Sequence, residues 1–270
     1  MQLQAIAMLD SGVGGLTVVK EVMRQLPQEP IIYFGDTERA PYGPRRPEEV
    51  VWFTEEIVSY LLEYHPKMIV IACNTATAVA LDRIRTMVPV PVVGVIHPGA
   101  RAAIKMTRSL AVGVIGTEGT IHSRAYERAL HELSPRVRIV SKACPELVPL
   151  VEKGLYRAPE SKEIVRMSLE PVLNQPIDCL ILGCTHYPFL QEMISEIAGP
   201  GVKLINSAEE TAREVSALLY HRGQLAKGGE APRHRFFCSG DEAMFRQIAQ
   251  EWLGRPVEVT RIVWPVSRLA

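Results

Sequence analysis

Ile69-Val70-Ile71-Ala72-Cys73-Asn74-Thr75 is an apolar run that ends in a cysteine followed by small polar residues, and Leu180-Ile181-Leu182-Gly183-Cys184-Thr185-His186 repeats that form. Continuous apolar residues without alternation fit a strand buried on both faces, as in a parallel sheet. Runs of the same kind recur along the chain at 5–9, 31–34, 68–72, 92–95, 110–115, 179–182, 203–205 and 235–238. Segments of helical period lie between them at 15–26, 47–63, 75–87, 163–173 and 208–220. Strands alternating with helices predict an α/β chain with parallel sheets and crossover helices.

A second echo accompanies the first. Ile-Ala-Met-Leu-Asp-Ser-Gly at 6–12 is similar to Ala-Val-Gly-Val-Ile-Gly-Thr at 111–117. Two α/β halves packed face to face would bring both cysteines to one cleft, although repetition of the strand–helix–strand unit alone also produces such echoes. His97-Pro98-Gly99 is read as the crossing between halves, because Pro and Gly punctuate structure. A return near 205–207 then makes the second half an insertion. The expected domains are 1–97 completed by 208–270, and 98–207, with the site between them. The Gly-rich polar stretch 223–232 is read as a surface loop.

Composition narrows the function. With 47% hydrophobic residues in 270, the chain can bury a large core. Lys plus Arg and Asp plus Glu number 30 each, so no global positive field draws nucleic acid or an anionic membrane. No apolar run is long enough to span a bilayer and the first ten residues lack a basic leader, which predicts a cytoplasmic protein. Five irregularly spaced cysteines fit reduced thiols better than a disulfide framework. The absence of C-x-x-C, of H-E-x-x-H and of any His/Cys cluster at ligand spacing leaves a metal site without support.

Ligands of open parallel sheets bind beyond the carboxyl ends of the strands. Cys73 and Cys184 both occupy that position, each expected just ahead of a helix whose N-terminal field favours thiolate. A lone cysteine there is as well explained as a small buried hydrophobe, but two in matching contexts favour chemistry. Cys179 reads as core, and Cys144 and Cys238 lack the flanking polar pattern. Asn74, Thr75, Thr185 and His186 supply donors beside the thiols; helix capping explains the same residues equally well. The segment Asp10-Ser11-Gly12-Val13-Gly14-Gly15-Leu16-Thr17 has Thr17 where a dinucleotide fingerprint needs glycine, so its turn suits a smaller anion such as a carboxylate. Asp10, at a strand end, can orient an ammonium group or cap a helix. Pro41-Tyr42-Gly43 reads as a turn and Asp36 as a capping or solvated residue.

Asp10-Ser11-Gly-x-Gly-Gly-Leu, Pro41-Tyr42-Gly43, Cys73-Asn74-Thr75-Ala76 and Gly183-Cys184-Thr185-His186-Tyr187-Pro188, in this order, resemble the glutamate racemases of the aspartate/glutamate racemase superfamily. The resemblance spans nearly the whole chain. It implies two pseudo-symmetric α/β domains, no pyridoxal or other cofactor, glutamate as substrate, a homodimer, and D-glutamate supplied to peptidoglycan. By similarity, Cys73 takes the α-proton of D-glutamate and Cys184 that of L-glutamate, with Asp10 and His186 assisting the thiols. Asp36 and Glu152 match acids of lesser role. Ser11, Tyr42, Gly43, Asn74, Thr75, Thr117, Thr185 and His186 fall at substrate-binding positions, with Asp10 beside them. From the residues alone, three rivals stand beside racemisation: a cysteine hydrolase with His186 as base, a two-lobed glutamate-binding protein, and a pyridoxal enzyme.

Overall fold

A computed structural model describes residues 4–228 and 231–264. The chain forms two all-parallel sheets. The first half runs β1 (Ile6–Asp10), α1 (Leu16–Gln25), β2 (Ile31–Gly35), α2 (Pro47–Leu62), β3 (Met68–Ile71), α3 (Asn74–Met87) and β4 (Val92–Gly94). Helix α4 (Ile96–Met106) leads into the second half. That half comprises β5 (Ala111–Gly116), α5 (Glu118–His122), α6 (Ala125–Leu133), β6 (Arg138–Ala143), α7 (Leu147–Glu152), α8 (Ser161–Leu173), β7 (Cys179–Gly183), α9 (Gln191–Ala198) and β8 (Lys203–Ile205). The chain then continues through α10 (Ser207–His221), β9 (Arg235–Cys238), α11 (Glu242–Leu253) and β10 (Val259–Arg261).

The strand order is β10-β9-β2-β1-β3-β4 in the six-stranded sheet and β6-β5-β7-β8 in the four-stranded one. The four strands β2-β1-β3-β4 therefore have the same relative order as β6-β5-β7-β8, which gives the two sequence echoes a common topological cause. Each first strand is central and its cysteine-bearing strand lies beside it. The C-terminal strands β9 and β10 extend the first sheet, next to β2.

Burial follows from the apolar runs. Strands β1, β2, β3, β5 and β7 are buried along their whole length, as the sheets carry helices on both faces. One face of the first sheet packs with α2 and α3, and one face of the second with α4 and α6. The remaining faces share a continuous core through α1, α7, α8, α10 and α11, so the two sheets are not separated by solvent.

His97-Pro98-Gly99, read as the crossing between halves, stands in the first turn of α4, the helix that leads into the second half. Pro is tolerated there because a first-turn N–H has no intrahelical acceptor to lose. Strands β6 and β10 were not anticipated: Arg-Ile-Val-Ser-Lys-Ala is half exposed, with few apolar residues, and β10 has only three residues. The stretch 223–232, whose residues 229 and 230 lie outside the described part, is more than a surface loop. The Gln224 carbonyl accepts from Lys67 Nζ at 2.8 Å and the Ala226 N–H donates to Glu29 Oε1 at 2.7 Å, which caps a buried Lys67–Glu29 ion pair at 2.5 Å. Among the described residues, no helix is long and apolar enough to cross a membrane.

Candidate active site

Strand register sets the site. Leu9 pairs with Ile71, and two residues beyond them stand Ser11 and Cys73. Gly116 pairs with Gly183, and the next residues are Thr117 and Cys184. The carboxyl edges of both sheets meet at one small cavity, walled by Ser11, Tyr42, Gly43, Cys73, Asn74 and Thr75 from the first half and by Thr117, Glu152, Cys184, Thr185 and His186 from the second. Both cysteines are nearly sealed from solvent, at 4% and 5% exposure. Ala40, Pro41 and Val148 complete the wall. Val148 was missed, since nothing in Leu-Val-Pro-Leu-Val-Glu separates a site-facing valine from a core one.

The two thiols have different surroundings. Cys184 is not followed by a long helix, contrary to expectation; a 3-10 turn (Tyr187–Leu190) intervenes before α9. Its sulfur instead lies 3.6 Å from His186 Nδ1, and His186 Nε2 lies 2.5 Å from Glu152 Oε1. Burial opposes charge on His186, but the hydrogen bonds and charges of Cys184 and Glu152 outweigh it and raise the imidazole pKa well above 6.5. Glu152 shows the reciprocal effect: burial raises its carboxyl, and the stronger pull of His186 holds it below the ordinary value. The His186 ring thus bridges a sulfur and a carboxylate and does not bond to backbone as a helix-start histidine would.

Cys73 caps α3 itself, its sulfur accepting the Ala76 N–H at 3.4 Å, with the Ser11 hydroxyl at 3.7 Å. The helix field was expected to lower this thiol's pKa. Burial and the charge of Asp10 win over the Ala76 N–H and Ser11, and push it up to about 12. Capping by Cys73 also leaves Asn74 and Thr75 free of that duty.

Asp10 lies behind the cavity wall. Its carboxylate accepts the Gly12 N–H at 3.0 Å and the Thr185 hydroxyl at 3.0 Å, tying the first half to the second, and burial raises its pKa. The Gly12 amide therefore serves Asp10, and only Ser11 of the 10–17 segment lines the cavity, so the expected carboxylate nest in that turn is not found. Gly14 is there for close approach: a Cβ would sit 2.4 Å from Thr185 Oγ1 and 2.5 Å from His186 Nδ1. Asp36 is farther out. It is neither a cap nor solvated; it is buried, accepting from Arg39 Nε at 2.6 Å, Ser239 at 2.8 Å, Trp264 Nε1 at 3.1 Å and the Tyr42 hydroxyl. It reaches the cavity only by holding Tyr42.

Polar side chains line the cavity beside the thiols. Thr75 and Thr117 hydroxyls meet at 2.8 Å across the two halves. The Asn74 Nδ2 group is buried without a partner, a costly state for an amide that a ligand oxygen would relieve. Among the described residues, no lysine or arginine lines the cavity and no three His, Cys, Asp or Glu side chains cluster as a metal site.

The buried thiols also make stability pH-dependent. Cys73 and Cys144 titrate near 12 when folded, and Cys179 and Cys238 near 11, against 9.0 for a free thiol. Below about pH 9 both states hold these protons; above it the unfolded chain releases them first, so stability falls as pH rises toward the folded values. A thermal melt series is expected to show a plateau up to about pH 9 and then a decline, at roughly 2–4 °C per kcal/mol lost. A flat profile from pH 9 to 11 would contradict the buried-thiol description.

Comparison with known proteins points to one family. The sequence model of the Asp/Glu/hydantoin racemase family matches residues 12–215. The chain is 52% identical over 261 residues to the glutamate racemase of Bacillus cereus, covering 97% of each. A glutamate racemase isoform from Bacillus anthracis superposes with TM-score 0.95 at 49% identity, covering 99% of this chain and 100% of that one. The Francisella tularensis glutamate racemase, solved in complex with D-glutamate, superposes with TM-score 0.90 at 32% identity, covering 97% and 98%.

Proposed function

The chain belongs to the Asp/Glu/hydantoin racemase family, and on that premise we propose that it interconverts L- and D-glutamate without a cofactor, by proton transfer between Cys73 and Cys184. One observation carries the reading: two thiols, from different sheets, wall a single small cavity that also presents an unpartnered amide donor.

An α-proton of an amino acid is a very weak acid, so its removal needs a base in contact with it and donors on the carboxylate that takes up the electron pair. In the L to D direction, the Cys184 thiolate takes the Cα proton. The C–H electron pair moves into the carboxylate, forming an enediolate, and the Cys73 thiol delivers its proton to the opposite face. Cys184 leaves the cycle as thiol and Cys73 as thiolate, ready for the reverse reaction. The imidazolium of His186, held by Glu152, supplies the counter-charge a Cys184 thiolate needs. Cys73, held protonated by burial and Asp10, suits the donor role in that direction. Asp10 and His186 thus assist the two sulfurs, while Ser11, Tyr42, Gly43, Asn74, Thr75, Thr117 and Thr185 hold the substrate. Asp36 acts through Tyr42. A pyridoxal enzyme would need a lysine for its imine, and none lines the cavity among the described residues.

We treat 1–97 with 208–270 and 98–207 as the two domains, whose approach would exclude water from the carbanion. A cytoplasmic homodimer feeding D-glutamate to peptidoglycan fits the five free, buried cysteines and the family. The test is incubation with L-glutamate and, separately, L-aspartate in heavy water, read by chiral chromatography and mass. Glutamate should racemise, with deuterium at Cα of the product enantiomer. Inversion of aspartate alone, or product free of deuterium, would reject the assignment.

A further inference from the structure

The unpartnered Asn74 Nδ2 raises the question of what keeps that amide from turning. A carboxamide has two faces of nearly equal shape, and a half-turn about its last torsion would replace the donor in the cavity with an acceptor. Asn74 Oδ1 accepts a hydrogen bond from the Tyr126 hydroxyl at 2.7 Å. Tyr126 belongs to α6 of the second half, is 2% exposed, and does not line the cavity. Its hydroxyl sits where both connections between the halves pass. A Cβ on Gly99 in α4 would lie 3.2 Å from that oxygen and 3.1 Å from Ser207 Cβ at the start of α10. A side chain at 99 would crowd the phenol, so the two connections pack closely around it.

We infer that Tyr126 is a positioning residue that fixes the Asn74 amide with its NH2 toward the substrate, and that its contacts with Gly99 and Ser207 hold Tyr126 in place for that purpose. The inference rests on the proposed racemase reading and adds to it a residue outside the cavity that governs substrate binding. The phenol oxygen can accept as well as donate, but Ser207 bonds to it from its own side, so its proton goes to the amide oxygen and the NH2 is left to a ligand carboxylate. Without the hydroxyl, the amide would lose the contact that distinguishes its two orientations.

The experiment is a double-mutant cycle on glutamate racemisation with Tyr126→Phe, Asn74→Ala and both together. Tyr126→Phe should lower kcat/KM roughly fivefold, expressed mainly as a higher KM, as expected for one hydrogen bond to an orienting group. The pH–rate profile, set by the thiols, should stay in place. In the Asn74→Ala background the same substitution should have almost no further effect, because the group it positions is gone. An equal loss in both backgrounds would mean that Tyr126→Phe acts through packing, and would overturn the inference. So would an unchanged KM in the single variant. If the unsubstituted chain fails to racemise glutamate, the functional reading fails first; if it is active and the cycle shows no coupling, only the role of Tyr126 falls.

Discussion

Cys73→Ala and Cys184→Ala should each lower kcat/KM for glutamate about 1,000-fold or more, in both directions equally. General acid–base groups in contact with the reacting proton contribute on the order of 100- to 10,000-fold, and inversion engages two of them in one turnover. Equality of direction is imposed from outside the protein. Enantiomers are equally stable in water, so the ratio of the two kcat/KM values must stay at unity in any variant, whichever thiol is missing. The cavity is what makes the loss large. The thiols come from different sheets and are nearly sealed, so water has poor access to replace an absent sulfur. Chiral chromatography of single-variant reactions checks this. Substantial racemisation by either variant would mean that one thiol suffices and would reject the two-thiol assignment.

His186→Asn should cost about 100-fold in kcat/KM, and Glu152→Gln less, about tenfold. The imidazole is the only charged partner within hydrogen-bond reach of the Cys184 sulfur among the described residues, at 3.6 Å. Asparagine offers a donor there but no cation. Glu152 acts one step back. Glutamine keeps the shape and can still accept from His186 Nε2, but it removes the carboxylate charge that helps keep the ring cationic. Steady-state kinetics at several pH values distinguishes the two effects. His186→Asn should fall in kcat with a modest change in KM, while Glu152→Gln should show its deficit growing as pH rises and the less supported imidazolium is lost. Wild-type kcat in His186→Asn would remove this histidine from proton transfer.

Much of the fold was legible because fully buried parallel strands are written as unbroken Ile, Val and Leu runs. Met68–Ile71 and Cys179–Gly183 are of that kind, and both stand where their apolar runs lie. Strand β6 was invisible for the opposite reason: an edge strand of the second sheet, half exposed, has no need of a continuous apolar run. Helix α4 was hidden by Pro98 and Gly99, whose local preferences signal a break. The proline falls in the first turn, and the glycine lies in close packing with the tyrosine and serine against it. The position of the cysteines at strand ends could be read from order alone. The protonation of Cys73 could not, because the local helix field is visible in sequence, whereas burial and the charge of Asp10, sixty-three residues earlier, are not.

By itself, the sequence determined the parallel α/β character, the paired strand–cysteine units and the family to which they belong, since each of these is expressed in residues that are neighbours along the chain. Only the tertiary structure decided that the two sulfurs share one cavity and that His186 is backed by Glu152. It also decided that Asp36 serves Tyr42 and that Asn74 is held by a tyrosine of the other half. Those facts depend on distances between residues far apart in the chain, and on how much water the packed halves leave around them. Charge and hydrogen bonding respond to that environment and not to sequence order.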